Sequence, residues 1–543
     1  MSGARRTISP DMTLWEAFAV AMAAAPGSEA LVARDGRATR SRLAREATSL
    51  SARFLAADAG PGENVLVLVP NSVRYPIALF AVSRTGATPV PLAPALTARE
   101  LAAIVDAIGA RIAVTGTAES EATVRAAFAE NGREGSILRY GDRLEPSEPA
   151  EDAPAPLGRP ATTDTAVLFF TSGTTGSPKA VAHSHRTLIA SFLALERMHR
   201  EFFEGPLPER IQRIATVTRR YGWRVLRAAA RQVWMTALPF SAIGGHEVLF
   251  GALLGGHTLV TTPDFHSRRT MELLESKNVN VFAATPSMVE SVLQLRDFDS
   301  FDLSTLLVVG IGGAPAAPDL VRRAQARFRC SVTVGYGSTE LGGGILVTRI
   351  DDTDDVKRET VGRPFPGADV RIVDDQGNDV PPGTAGELIC RTPSVMTGYS
   401  SATADGTTPV DEEGWYHTSD LAFRDEDGNV HITGRRDDLI IRGGNKIRPA
   451  DVEQVLREVP GVRQAVVVGV DAARVGQQVW AFVVPESAEF PLDRAALLKH
   501  CQANLAPLKV PDHIRVCDSL PTTSLGKIQR HRLSQVAREE PHG

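Results

Sequence analysis

The feature that most constrains this chain is a repeated change of hydrophobic period. ENVLVLV (63–69) is a short apolar run of buried-strand type, PIALFAVSRTG (76–86) carries its apolar residues at helical spacing, and ATPVPL (87–92) returns to the strand pattern. The signal recurs when the helical RRTMELLESK gives way to VNVFAAT (279–285) and STLLVVGIGG (304–313). Strands that alternate with helices pair in parallel and form layered α/β sheets. Residues 143–162, rich in Pro, Ala and acids, suit an exposed connection.

The tail has another character. RQAVVVGVDAARVGQQVWAFVVP (463–485) offers two strands about a turn, and DRAALLKHCQANL (493–505) a helix. With 543 residues the chain is too long for one ordinary core. The expected fold class is α/β: a large N-terminal domain of layered α/β sheets over 1–434 and a small α+β C-terminal domain over 435–543, joined by a hinge. GRRDDLIIRGG (434–444) suits the junction.

Composition narrows the function classes. A net charge of −5 gives no electrostatic footprint for nucleic acid. Cys330, Cys390, Cys501 and Cys517 show no CxxC pairing, which leaves zinc and thioredoxin-like chemistry unsupported and fits a reducing, cytoplasmic setting. Arg5 and Arg6 precede the apolar AFAVAMAAA, but Asp11 and Glu16 interrupt the pattern of a signal peptide, and a buried helix is expected there. No run is long enough for a membrane span.

Four polar motifs carry the chemistry. TSGTTGSPK (171–179) follows the apolar AVLFF, and its Gly, hydroxyl and Lys groups suit an anion. Its spacing is not that of a Walker A loop. In VGYGSTE (334–340), Tyr336 can lie against a base, Thr339 can donate to phosphate and Glu340 can hold magnesium. Asp420 in GWYHTSD (414–420) can accept ribose hydroxyls. Lys527 in PTTSLGKIQR (521–530) reads, by itself, as an ordinary surface charge.

Together these stretches, with GIGGAP (310–315), VGRPFPG (361–367), GELICRTPSVMTGY (386–399), GWYHTSDLAFRDEDGNVHITGRRDDLI (414–440) and GGNKIRPADVE (443–453), resemble the adenylate-forming superfamily of acyl-CoA synthetases, peptide-synthetase adenylation domains and luciferases. The resemblance is nearest to acyl-CoA ligases. It implies that a small carboxylic acid attacks the α-phosphate of Mg–ATP, that pyrophosphate leaves, and that a thiol, CoA or a phosphopantetheine carrier protein, displaces AMP. An amine acceptor or an unusual oxyacid is the remaining alternative within the superfamily. A non-catalytic nucleotide binder is the reading from another class, and Lys527 argues against it.

The resemblance also implies residue roles. Thr171, Ser172, Gly173, Thr174, Thr175, Gly176 and Lys179 would cradle the departing phosphates. Gly312, Gly313, Ala314, Tyr336 and Gly337 would line the adenine, and Asp420 and Arg435 would hold the ribose. Thr339 would touch the α-phosphate and Glu340 would bind magnesium. Lys527 would bridge the reacting carboxylate and phosphate, offsetting their repulsion in a dry site. Asp437 falls at the family's hinge, and Gly443 and Gly444 would let a narrow pantetheine arm pass.

Two stretches depart from the pattern. Where the family often has an aromatic residue and His beside the acyl pocket, LPFSAIGGHEVLFGALLGG (238–256) places Ser241 and Ala242. His246 either substitutes from the next turn or serves helix packing. The pocket walls expected from the resemblance are Ser241, Ala242, Ile243, His246, Gly310, Ile311, Gly335 and Leu341. The second departure is ERIQRIATVTRRYGWRVLRAAARQV (209–233), where seven Arg accompany one Glu in a stretch longer than the family's norm. It reads as a docking face for an acidic carrier, CoA phosphates or a membrane surface, or as a solvated helix packed on one face.

Overall fold

The computed structural model describes residues 7–140, 158–171, 179–222, 231–400, 409–436, 438–442, 445–472, 476–487, 492–523 and 528–539. The chain packs as two compact units, residues 1–369 with 391–416 and residues 370–390 with 417–543. In the first unit the expected alternation closes into sheets. Nine strands form the largest, with Val233–Thr236, Val281–Ala284, Val308–Ile311 and Ser331–Ser338 at its centre. These central pairs are parallel, as in Ala283 opposite Gly310 and Ile311 opposite Val334. A second sheet, of four parallel strands, contains Asn64–Leu68 and Thr88–Pro91, and a third joins Thr165–Thr171, Lys179–Ser184 and Gly398–Tyr399. Parallel sheets leave their strand C-termini at one edge, where ligands of α/β folds bind. The second unit holds a four-stranded sheet ending in Tyr416–Arg424 and Val430–Arg435, and a five-stranded sheet around the long pair Val462–Ala472 and Gly476–Pro485.

Local chemistry accounts for the helix that carries the HEVLFG stretch. Helix Arg74–Thr85 is buried almost all round, and Phe80 stacks on Phe18 at 3.8 Å and on Phe250 at 5.8 Å. Tyr75 Oη donates to Phe240 O at 2.8 Å. Asn71 reads the same segment from its own side: its amide nitrogen donates to Leu238 O at 2.8 Å, and its oxygen accepts from Phe240 N at 2.8 Å. Residues 238–240 are thus fixed before helix Ile243–Leu254 begins. Its far end is held by Arg40, 1% exposed, which donates to Leu253 O and His257 O, each at 2.8 Å.

The arginine-rich segment forms helix Leu207–Tyr221, and residues 223–230 lie outside the described residues. Only Val217 of this helix is buried, while Leu207 and Ile211 are more than half exposed. Arg213 donates to Glu201 O and Glu204 O, and Arg220 pairs with Asp354, so these two arginines serve local structure. The helix is tied down at its C-terminal end by Lys357. This side chain is fully buried and donates to Tyr221 Oη (3.1 Å), Ser331 Oγ (3.0 Å) and Ile350 O (2.8 Å). Burial lowers its pKa to about 7. Replacing it removes three hydrogen bonds at once. Lys357→Met is expected to lower stability by about 2–4 kcal/mol, read as a fall in the urea midpoint at unchanged slope.

Candidate active site

The site is built around one turn. Strand Ser331–Ser338 ends, Thr339 to Gly342 reverse the chain, and strand Gly343–Val347 returns antiparallel. Four successive carbonyls of the turn are held from outside it. His183 Nε2 donates to Thr339 O (2.7 Å), Met396 N to Glu340 O (2.7 Å), Ser394 Oγ to Leu341 O (2.8 Å) and Ser191 Oγ to Gly342 O (2.9 Å). Gly344 N donates to Glu247 Oε2 at 3.1 Å. Gly343 has φ +124°, a region costly for any side chain. Thr339 and Glu340 are therefore presented on a backbone with little freedom to move.

His183 was not singled out in the sequence, because nothing in AVAHSHR separates it from His185. Its ring is fully buried, and burial lowers its pKa to about 4. A neutral ring that donates from Nε2 leaves Nδ1 as acceptor, and Nδ1 faces Thr187 Oγ1 at 3.2 Å. His185 is spent structurally, its Nδ1 accepting from Leu14 N at 3.0 Å.

The first loop is described at its ends. Thr171 and Lys179 are register partners across a hairpin; Ser172, Gly173, Thr174, Thr175 and Gly176 lie outside the described residues. Lys179 Nζ stands 5.2 Å over the ring of Tyr399, and Tyr399 Oη is 3.5 Å from Glu340 Oε1. Tyr399 thus links the lysine of the expected phosphate loop to the expected magnesium ligand. It lies in the quoted GELICRTPSVMTGY stretch but had no assigned role, because only the pairing of Gly398–Tyr399 with Lys179–Ser184 reveals it.

Bare backbone lies at the C-terminal ends of the parallel strands. Gly312 directly follows Val308–Ile311, and a Cβ there would meet nothing closer than 3.8 Å. Gly313 takes φ +81°, and its Cβ position is free to 4.0 Å. Ala314 and Tyr336 are part-buried, and Gly337 faces Gly344 across the turn. Gly312 and Gly313 thus leave the strand end uncrowded, whereas a Cβ on Gly337 would stand 2.0 Å from Gly343 O. Among the described residues no cluster of three His, Cys, Asp or Glu side chains could hold a metal. A single carboxylate such as Glu340 nevertheless suits Mg²⁺, which takes one or two carboxylates together with substrate phosphates.

In the second unit, Asp420 and Arg435 are cross-strand partners, with Arg435 Nε donating to Asp420 Oδ1 at 2.9 Å. Asp420 is buried and Arg435 exposed. Lys527, Asp437, Gly443 and Gly444 lie outside the described residues. The flanks of Lys527 are ordered by the bridge between Thr522 and Ile528.

The expected acyl-pocket residues fall into two groups. Ile243 and His246 line a small cavity with Leu188, Phe192, Phe250 and Glu247, with room for about one water. Gly310, Ile311, Gly335 and Leu341 lie on the neighbouring strands and turn, while Ser241 and Ala242 precede the helix. His246 is 1% exposed, and its Nδ1 donates to Phe240 O at 3.3 Å. Its ring meets Phe169 edge-on at 4.9 Å, and burial lowers its pKa to about 3. Burial raises the pKa of Glu247 to about 7.

Residues 18–400 match the family described as AMP-binding enzyme, and residues 451–527 match AMP-binding enzyme C-terminal domain. The chain belongs to this family, the ATP-binding, adenylate-forming enzymes, and is an enzyme of the AMP-forming acyl-CoA synthetase kind. It is 32% identical to a feruloyl-CoA synthase from Amycolatopsis sp, covering 90% of this chain and 92% of that protein. It is 29% identical to the fatty acid–[acyl-carrier-protein] ligase ScoC of Streptomyces coeruleorubidus, covering 94% and 93%. The amide bond synthetase McbA of Marinactinospora thermotolerans superposes with a TM-score of 0.80 at 27% identity, covering 96% and 99%. The mixed α/β fold with a large N-terminal and a smaller C-terminal domain agrees with the sequence expectation. No described helix is long and apolar enough to cross a membrane.

Two outcomes are expected from this geometry. His183→Leu removes the donor to Thr339 O and should lower acid-dependent ATP–pyrophosphate exchange about tenfold. The second concerns pH. An unfolded chain protonates His246 near its ordinary value of 6.5, the folded one only near 3, so this group removes stability as pH falls from 6.5. Glu247 acts oppositely: the folded state takes up its proton near pH 7 and the unfolded state nearer 4.5, so its contribution is lost as pH rises through that window. Denaturant midpoints between pH 7.5 and 5 should therefore fall less steeply with acid in His246→Leu and more steeply in Glu247→Gln.

Proposed function

We propose that this enzyme activates a small carboxylic acid to an acyl-adenylate and passes the acyl group to a thiol, with CoA as the acceptor. The observation that carries this reading is the clamped turn, which bears Thr339 and holds Glu340 beside Tyr399, with Lys179 over the Tyr399 ring. In the first half-reaction a carboxylate oxygen attacks the α-phosphorus of ATP, the bond to the β-phosphate oxygen breaks, and pyrophosphate leaves. Thr339 donates to the α-phosphate, and Lys179 with the 171–179 hydroxyls grips the departing phosphates. Mg²⁺, held through Glu340, would supply charge neutralisation between those phosphates. The base rests on Gly312–Ala314 and Tyr336, and Asp420 with Arg435 holds the ribose hydroxyls. Lys527 has the role of bridging the reacting anions, because a fixed positive charge there stabilises the transition state. In the second half-reaction the thiolate sulfur attacks the acyl carbonyl and AMP leaves; Asp437 is the hinge, and Gly443 and Gly444 line the thiol's approach.

The carrier-protein ligase among the relatives keeps a phosphopantetheine carrier as the second reading of the acceptor, and the amide bond synthetase keeps an amine as the third. Pyrophosphate release with a panel of acids, with and without CoA, separates them. CoA-dependent thioester formation is the expected result. An adenylate that CoA does not discharge would move the acceptor to a carrier or an amine, and no release with any acid would overturn acid activation. Lys527→Ala is expected to lower adenylation by about a hundredfold or more while retaining thioester formation from supplied acyl-AMP. Equal loss of both halves would contradict its assigned role.

A further inference from the structure

The small cavity beside the clamped turn has apolar walls, Leu188, Phe192, Ile243 and Phe250, yet three polar side chains line it. Ser191 and His246 face it without a proton to give, and so does Glu247 when ionised. Ser191 spends its hydroxyl hydrogen on Gly342 O at 2.9 Å. His246 donates from Nδ1 to Phe240 O, which leaves Nε2 an acceptor, and this buried nitrogen has no hydrogen-bond partner among the described residues. Glu247 accepts one hydrogen bond, from Gly344 N to Oε2, and no described cation stands in ion-pair range of it. A buried acceptor without a donor is costly, so His246 Nε2 is incomplete without a group that brings a hydrogen.

The backbone opposite makes room for that carboxylate. A Cβ on Gly343 would stand 2.9 Å from Glu247 Oε2, and one on Gly344 3.2 Å from Oε1. Side chains there would compete with Glu247 for the space, so the triple glycine of LGGG and the glutamate of GHEV belong to one arrangement. That arrangement lies three residues beyond Glu340 on the same turn.

We infer that Glu247, with His246 Nε2, is a specificity determinant that selects carboxylic acids bearing an amino or hydroxyl substituent at the end remote from the reacting carboxylate. This rests on the acid-activation reading above and names the substrate class of the same site. The substituent, about the size of the single water the cavity has room for, donates to the two acceptors, and the carbon skeleton stays outside the cavity. An acid lacking the donor leaves His246 Nε2 unpaired and Glu247 with only its bond from Gly344 N, and sites built this way reject such analogues strongly.

The test compares matched acids in ATP–pyrophosphate exchange: benzoate with 3-hydroxy- and 3-aminobenzoate, and hexanoate with 6-hydroxy- and 6-aminohexanoate. In the wild-type enzyme kcat/KM is expected to favour the donor-bearing member of at least one series by about 10- to 100-fold. Glu247→Leu should bring that ratio to near one. Glu247→Gln, which keeps the shape and one acceptor oxygen, should give an intermediate ratio. A merely structural glutamate would lower all acids together and leave the ratio unchanged, which would overturn the assignment. So would a wild-type profile indifferent to the substituent, the result expected if the cavity holds only a water. Exchange with no acid at all would instead defeat acid activation itself, so the two failures are told apart.

Discussion

Hydrogen bonds to the peptide groups of residues 339–344 are the constraint on which the rest of the site depends. A reversal of chain direction at the end of a central strand leaves its carbonyls without sheet partners. Here the four are taken by three parts of the first unit: a histidine from strand Lys179–Ser184, a backbone amide and a serine from the 394–396 segment, and a serine from helix His185–Glu201. Each such bond adds only about 1 kcal/mol net, but leaving any one acceptor buried and unpaired costs about 1–3 kcal/mol. The turn is therefore fixed by the penalty for breaking it more than by the attraction in any single bond.

The turn also couples two surfaces. One edge presents Glu340 towards Tyr399, over whose ring Lys179 stands; the other presents Gly342–Gly344 to the cavity that Glu247 and His246 line. Neutral, buried histidines suit such a place. A ring held uncharged by desolvation offers one fixed donor and one fixed acceptor, without the solvation demand of an imidazolium. His183 uses both nitrogens, whereas His246 uses one and leaves the other unpaired.

Much of this was legible before any coordinates. The period changes at 63–92 and 279–313 yield the parallel strands Asn64–Leu68, Thr88–Pro91, Val281–Ala284 and Val308–Ile311, because burial on both faces demands continuous apolar runs. The tail folds as the expected hairpin and helix, Val462–Ala472, Gly476–Pro485 and Arg494–Asn504. Helix Leu207–Tyr221 follows the spacing of Ile211, Ile214, Val217 and Tyr221, yet Ile211 is exposed and only Val217 is buried. Helical period fixes which residues share a face, but not how much of that face finds a partner.

The amino-acid sequence by itself determined the α/β class, the order of the motifs and the kinds of group proposed to meet ATP. These depend on residue type, local period and spacing along the chain. It did not determine the neighbours that make those groups work. Lys357 holds a helix from 136 residues away, His183 reaches Thr339 across 156, and Glu247 meets Gly344 across 97. Desolvation, orphaned acceptors and space left by a missing Cβ arise only when such distant segments pack, so only the tertiary structure could decide them.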